Sequence, residues 1–259
     1  MPTPHEARDV AQSFGADPDR YDRARPSYPA ETVSRIVAAS PGPDFVDVGC
    51  GTGISSRLFR AAGCRVLGVE VDARMAEVAR RDGFDVEVAR FEDWDGRDRL
   101  FDAVVAGTAW HWVDPVRGAA KAGSVLRPGG RLACFWNVGQ APVELGRAFD
   151  VVYRRVMPDM PRLDPNQSVM DAYAVMLDRA GDGMREVGVF GEPEQWRYAW
   201  ERVYSRDEWV DQIATHGGVS LLPADKVAAL EAGIGDAVDA FGGRFTMSYT
   251  TAVVTAART

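Results

Sequence analysis

The sequence predicts an α/β fold built on a doubly wound sheet, mostly parallel with an antiparallel edge strand, plus a helical insertion. Two observations predict it. Between residues 45 and 136, short apolar runs alternate with helix-period segments, and that alternation implies parallel strands joined by right-handed crossovers. Beyond residue 140 the rhythm changes to longer helical segments and two period-two segments, which fit antiparallel pairing.

The elements follow in order. Residues 11–29 mix Pro and Gly with short helical pieces. Residues 31–40 carry Val33, Ile36 and Val37 at helical spacing and stop at Pro41-Gly42-Pro43. A short strand over 45–48 is halted by glycines, and a helix over 54–62 follows. A strand over 65–69 leads to a helix over 73–81, with Met75, Val78 and Ala79 as candidates for burial. Strands follow at 85–88 and 101–106, the latter apolar enough to be buried on both faces. A helix over 116–126 ends before Pro128-Gly129-Gly130, and residues 131–136 form a fifth strand. The second half holds helices over 142–156, 168–180, 206–214 and 223–241. A proline-rich loop lies over 157–166, and Trp196, Tyr198 and Trp200 mark one alternating strand while residues 245–253 mark another.

Composition narrows the function. The chain has 259 residues, 46% hydrophobic and 26% charged, which suits one large domain with its own core. A formal net charge of -8 argues against a nucleic-acid or anionic-membrane surface. The three cysteines form no C-x-x-C pair, so neither a disulfide framework nor a cysteine metal site is expected, and no metal is assigned. A polar N-terminus and the lack of an apolar run of about 18 residues make a cytoplasmic protein the default. The oligomeric state is left open.

The chemistry concentrates at Asp47-Val48-Gly49-Cys50-Gly51-Thr52-Gly53, after the first strand, and at Glu70, which ends the second. Open parallel sheets bind ligands beyond the carboxyl ends of their strands near the switch point. Glycines there admit positive φ and close backbone approach, and a carboxylate at the end of the next strand can grip a ribose diol. Together they make an adenosine corner. A dinucleotide loop would carry Gly or Ala where Ile54 stands. Asp47 is awkward beside a pyrophosphate and suits a ligand bearing an ammonium group. Both features favour S-adenosylmethionine over NAD.

The run D-V-G-C-G-T-G, followed by V-L-G-V-E-V-D-A-R-M and by L-R-P-G-G-R-L over 126–132, resembles the class I S-adenosylmethionine-dependent methyltransferases. The resemblance covers residues 14–136 and touches the closing strand. It implies a Rossmann-like sheet and S-adenosylmethionine as cofactor. It places Gly49, Gly51 and Gly53 at the cofactor, Glu70 on the ribose hydroxyls, Val71 against adenine, and Phe91 and Glu92 at the adenine edge. The segment F-x-x-x-x-x-x-Y-D-R-A-R-P-S-Y-P resembles a small-molecule subgroup of that family, where it folds over the cofactor. Tyr21 and Arg25 are carried over as cofactor residues, with Arg25 opposite the methionine carboxylate; a surface ion pair is its alternative.

Ala106 and Gly107 are small enough for the cofactor's methionine arm to lie along them. His111 and Trp112 follow, and the same subgroup shows a His-Trp pair here. His111 is the candidate general base, with a loop-orienting role as its alternative. Trp112 is a candidate wall of the acceptor pocket, and Asn137 either touches substrate or caps its segment. Four regions are expected: a cap over 1–40, the cofactor core over 41–140, a helical lid over the acceptor site at 141–194, and a C-terminal part over 195–259 that completes the sheet. The expected partner is a small-molecule methyl acceptor with a hydroxyl or carboxylate. A protein that binds S-adenosylmethionine without transfer, a macromolecular methyltransferase and an NAD-dependent oxidoreductase are the competing readings.

Overall fold

The structure, a computed structural model, describes residues 13–158 and 168–259. Its seven strands form one sheet: β1 (Asp44–Val48), β2 (Arg65–Glu70), β3 (Asp85–Val88), β4 (Phe101–Gly107), β5 (Leu126–Gln140), β6 (Glu194–Ser205) and β7 (Arg244–Ala257). Their spatial order is β3-β2-β1-β4-β5-β7-β6. The first five run parallel, while β7 lies antiparallel between β5 and β6. The chain order reverses between β1 and β4, so the switch point lies beside the glycine loop.

The helices are α1 (Pro18–Ala24), α2 (Ala30–Ala38), α3 (Ile54–Ala61), α4 (Ala73–Arg81), α5 (Pro115–Val125), α6 (Val143–Val156), α7 (Val169–Val187), α8 (Arg206–Ile213) and α9 (Ala224–Ala240). Successive strand residues sort to opposite faces, which is why the central strands are apolar throughout. Val46, Val104, Leu132 and Trp136 pack with Ala119 and Ala122 of α5 and with Leu177 and Met184 of α7. Phe45, Ala103, Val105 and Phe135 pack with Val33 and Ile36 of α2 and with Phe59 of α3.

A further core lies toward the outer ends of β6 and β7. There Tyr204, Phe245, Met247 and Tyr249 meet Phe149 of α6, Trp209 and Ile213 of α8, and Leu230, Ile234 and Val238 of α9. This C-terminal lobe has apolar contacts of its own. Helix α1 bridges the two regions through ion pairs. Arg20 reaches Asp211 at 2.7 Å and Glu231 at 2.9 Å in the lobe. Asp22 takes Arg57 at 2.6 Å, and Asp19 takes Arg81, on the parallel half.

Three elements run markedly longer than the sequence predicts, among them β7, expected over 245–253 and observed over Arg244–Ala257. The helix expected over 168–180 continues to Val187, through Gly181 and Gly183. Gly183 lies so close to the backbone of Pro115 that a Cβ would clash with its carbonyl oxygen, so this glycine marks close helix packing and not a helix end. The fifth strand begins at Leu126 and ends at Gln140. The Pro-Gly-Gly segment makes an irregularity inside the ladder, because Leu126 pairs with Phe101 and Arg131 with Ala103. The proline-rich loop expected over 157–166 lies, beyond Pro158, outside the described residues. Among the described residues, no helix is long and apolar enough to cross a membrane.

Candidate active site

The loop after β1 turns through three glycines with positive φ: Gly49 (60°), Gly51 (57°) and Gly53 (91°). Gly49 needs to be glycine twice over, since a Cβ would also stand 2.6 Å from the Cβ of Ala109. Glu70 fastens this loop. Its Oε2 accepts the Gly51 N–H at 2.8 Å, and its Oε1 accepts those of Val71 at 2.8 Å and Asp72 at 2.9 Å. Burial raises the pKa of its carboxyl while those N–H groups oppose the rise. A carboxylate has about four acceptor sites, so room remains for a sugar hydroxyl.

Asp47 lies beneath the loop and does not line the cavity. Its Oδ2 accepts from the hydroxyls of Ser55 and Ser56, each at 2.6 Å, and its Oδ1 accepts no hydrogen bond. Burial pushes its pKa up to about 6. The expected ammonium partner is therefore set one layer below the surface that a ligand would touch. Gly53 and Ala106 are also absent from the wall. Gly53 precedes the first residue of α3, and Ala106 is fully buried in the sheet.

A cavity of about 520 Å³ opens over the ends of β1, β2 and β4. Tyr21, Arg25, Gly49, Gly51, Glu70, Val71, Phe91, Glu92, Gly107, His111 and Trp112 all line it, so the structure gathers most of the expected site residues. Asn137 lines a smaller adjoining cavity of about 210 Å³, which shares Tyr21, Arg25, Gly49, Gly51, Gly107 and His216 with the first. Its side chain donates to Ser27 O at 2.9 Å and accepts from Thr251 Oγ1 at 2.7 Å. Glu92 accepts the Asp114 N–H at 3.0 Å, tying the loop after β3 to the N-terminus of α5.

Arg25 stands where the two cavities meet. Its Nη2 donates to Thr215 O at 2.6 Å, and its guanidinium lies 5.0 Å from the Tyr21 ring centroid. Its Nε is buried without a hydrogen-bond partner, and no carboxylate pairs with it among the described residues. Thr108, next to Gly107, holds a φ of 53°, strained for a β-branched residue. It is fixed by Tyr28, whose hydroxyl lies 2.9 Å from its Oγ1, and by its own N–H on Phe135 O at 2.7 Å.

Trp136 donates its indole N–H to Nδ1 of His111 at 3.1 Å. Burial and then the Arg25 charge push the His111 pKa down to about 4. His216, after α8, has its pKa lowered to about 3 by the same two causes. Sequence reasoning passed over His216, Tyr173, Met176 and Phe14 as wall residues, yet all four line the larger cavity. Met75, foreseen as buried, lies there as well. Phe14 opens the aromatic N-terminal motif, so a signal for it existed. His216 sits in a loop with no motif around it.

Residues 46–134 match the methyltransferase domain family. The match makes that segment similar to a methyltransferase domain. It begins in β1 and ends in β5, so it holds the glycine loop, Glu70 and the His111 loop. An uncharacterized methyltransferase of Mycobacterium tuberculosis is 38% identical over 133 residues, 50% of this chain and 54% of that protein. A demethylmenaquinone methyltransferase of Clavibacter sepedonicus is 31% identical over 138 residues, 51% of this chain and 56% of its own length. The chain thus spans about half the length of these curated relatives. The structure of a putative type II methyltransferase from Anaeromyxobacter dehalogenans aligns over 90% of this chain and 97% of its own, with a TM-score of 0.62 at 22% identity. That likeness extends the methyltransferase fold past the domain, through the lobe.

Proposed function

We propose that the protein transfers a methyl group from S-adenosylmethionine to a small-molecule acceptor with a hydroxyl or carboxylate. One observation carries the reading: a single cavity joins the Glu70 carboxylate and the glycine loop to the unpartnered Arg25 Nε and to an aromatic wall that includes Trp112 and Tyr173. The donor set fits the cofactor. Glu70 would hold the ribose hydroxyls, and Val71, Met75 and Phe91 would enclose the adenine, with Glu92 at its edge. Gly49, Gly51 and Gly107 leave space for the methionine arm, and the Arg25 N–H groups suit its carboxylate. Asp47 would act through the loop from below, and Tyr21 would cover the arm.

The cofactor supplies a methyl group on a positively charged sulfur, already activated as a leaving group. The chain's residues therefore align the acceptor and exclude water. Trp112, Tyr173 and Met176 form the wall suited to that task. A relative named for demethylmenaquinone supports a small molecule as acceptor. The acidic net charge is in keeping with it, since it disfavours nucleic acid.

Calorimetric titration with S-adenosylhomocysteine and with NAD tests the reading. Binding of the first alone is expected. Glu70→Ala should weaken it by about 1–3 kcal/mol. NAD binding, or an affinity indifferent to Glu70, would overturn it.

A further inference from the structure

His111 occupies the place of a general base, yet its hydrogen bond gives it the opposite polarity. We infer that Trp136 fixes His111 as a hydrogen-bond donor toward the acceptor, and that the acceptor arrives already ionised, as a carboxylate. This inference rests on the methyl-transfer reading above.

The indole N–H can only donate. Its partner at 3.1 Å, Nδ1 of His111, must therefore present a lone pair. A neutral imidazole so engaged carries its proton on Nε2, and its one remaining basic site is the nitrogen facing Trp136. To take a proton from an acceptor, the ring would have to give up that bond and set two N–H groups against each other. Trp136 is 1% exposed, so no water would compensate. The burial and the Arg25 charge that disfavour imidazolium work in the same direction.

The other proton acceptors on the wall are engaged or disfavoured. Glu70 accepts three backbone N–H groups. Glu92 accepts from Asp114 N and lies 3.4 Å from Arg90 Nη2. Burial, and then the Arg25 charge, oppose the protonation of His216. An alcohol would find no strong base to take its proton. A carboxylic acid, with a pKa near 4, has lost its proton before it enters.

One carboxylate oxygen would accept the His111 Nε2–H. A lone pair of the other forms the new bond to the methyl carbon as the carbon–sulfur pair withdraws onto sulfur. The products are a methyl ester and a neutral thioether, and no proton moves. One negative and one positive charge vanish together, which an apolar wall of Phe14, Trp112 and Trp136 favours.

The tautomer can be read without any ligand by nitrogen-15 NMR of the histidine rings in the whole protein. His111 is expected to show a protonated Nε2 and a bare Nδ1. A proton on Nδ1 would overturn the inference. Trp136→Phe should shift the Nδ1 resonance and mix the tautomers; because Trp136 is in the core, the wild-type spectrum is decisive by itself. His111→Gln retains an N–H donor without a basic nitrogen, so its turnover should stay within about tenfold of wild type, while His111→Ala falls further. Equal loss in both variants would mark a base. Aryl and alkyl carboxylic acids, each assayed beside its own alcohol, should give methyl esters and no ethers. Turnover of the alcohols, or silence from every acid while S-adenosylhomocysteine binds, would overturn the acceptor class. Failure of S-adenosylhomocysteine to bind would instead strike the methyl-transfer reading and leave the tautomer result standing.

Discussion

The parallel half of the sheet and the C-terminal lobe face the same cavities by different means. In the parallel half the wall comes largely from strand ends, where Gly49, Gly51 and Glu70 are placed by φ angles and backbone N–H bonds. In the lobe it comes from side chains on helices and outer strands, with Trp209, Gln212 and Tyr249 in the smaller cavity. A wall set by backbone geometry accepts few substitutions and suits an invariant ligand. A wall of side chains can change residue by residue, and suits the part of a reaction that varies.

The largest test of that division is Ile234→Ala. Ile234 is fully buried in the lobe core, so its truncation should cost about 2–5 kcal/mol of stability. Thermal melting would read the loss, while calorimetry should find affinity for S-adenosylhomocysteine retained below the melt. A parallel fall in affinity would mean that the two regions do not divide the work. Acid comes next. His216 has a folded-state pKa of about 3 against an ordinary 6.5, so the unfolded chain binds its proton more readily. Stability is then lost as pH falls below 6.5. His216→Phe should lose about 2–3 kcal/mol less than wild type between pH 6.5 and 4.5 in urea melts. Asp47, raised to about 6, acts in the opposite sense: its folded form holds a proton that the unfolded chain releases, so it lowers stability as pH rises from about 4 to 6.

In the parallel half, Gly49→Ala places a Cβ at positive φ and against Ala109. The strain should cost about 2 kcal/mol of folding stability, and cofactor affinity should fall with it as the loop shifts to relieve the clash. A normal affinity would show that the loop tolerates side chains after all. The smallest effect belongs to the bridge between the regions. Arg20 and its two partners are each close to 28% exposed, so Arg20→Ala should cost below about 1 kcal/mol. Its effect should shrink further in high salt.

The same division explains what could be read from the sequence. The glycine loop, Glu70 and Phe91 were legible because each depends on local chain geometry within a few residues of a strand end. The mostly parallel sheet was legible because its apolar runs alternate with helices. His216 and Tyr173 were not, because they enter the wall only after α7 and α8 have packed on elements far away in sequence. The extension of α7 past residue 180 was hidden for the same reason, since Gly183 serves a contact with Pro115 that the sequence does not show. The length of β5 was hidden because its last residues pair with β7 alone, Asn137 with Thr251 through Gln140 with Ser248.

Strand β7 has one further consequence. Its residues Ala252 and Val254 pack in the sheet core, while Phe245, Met247 and Tyr249 of the same unbroken strand pack in the lobe. One unbroken strand thus contributes to both bodies and ties the lobe to the sheet. Helix α1, by contrast, is tied to both bodies by charged pairs rather than by a strand. Those charged ties should weaken as ionic strength rises, while the shared strand stays indifferent to salt.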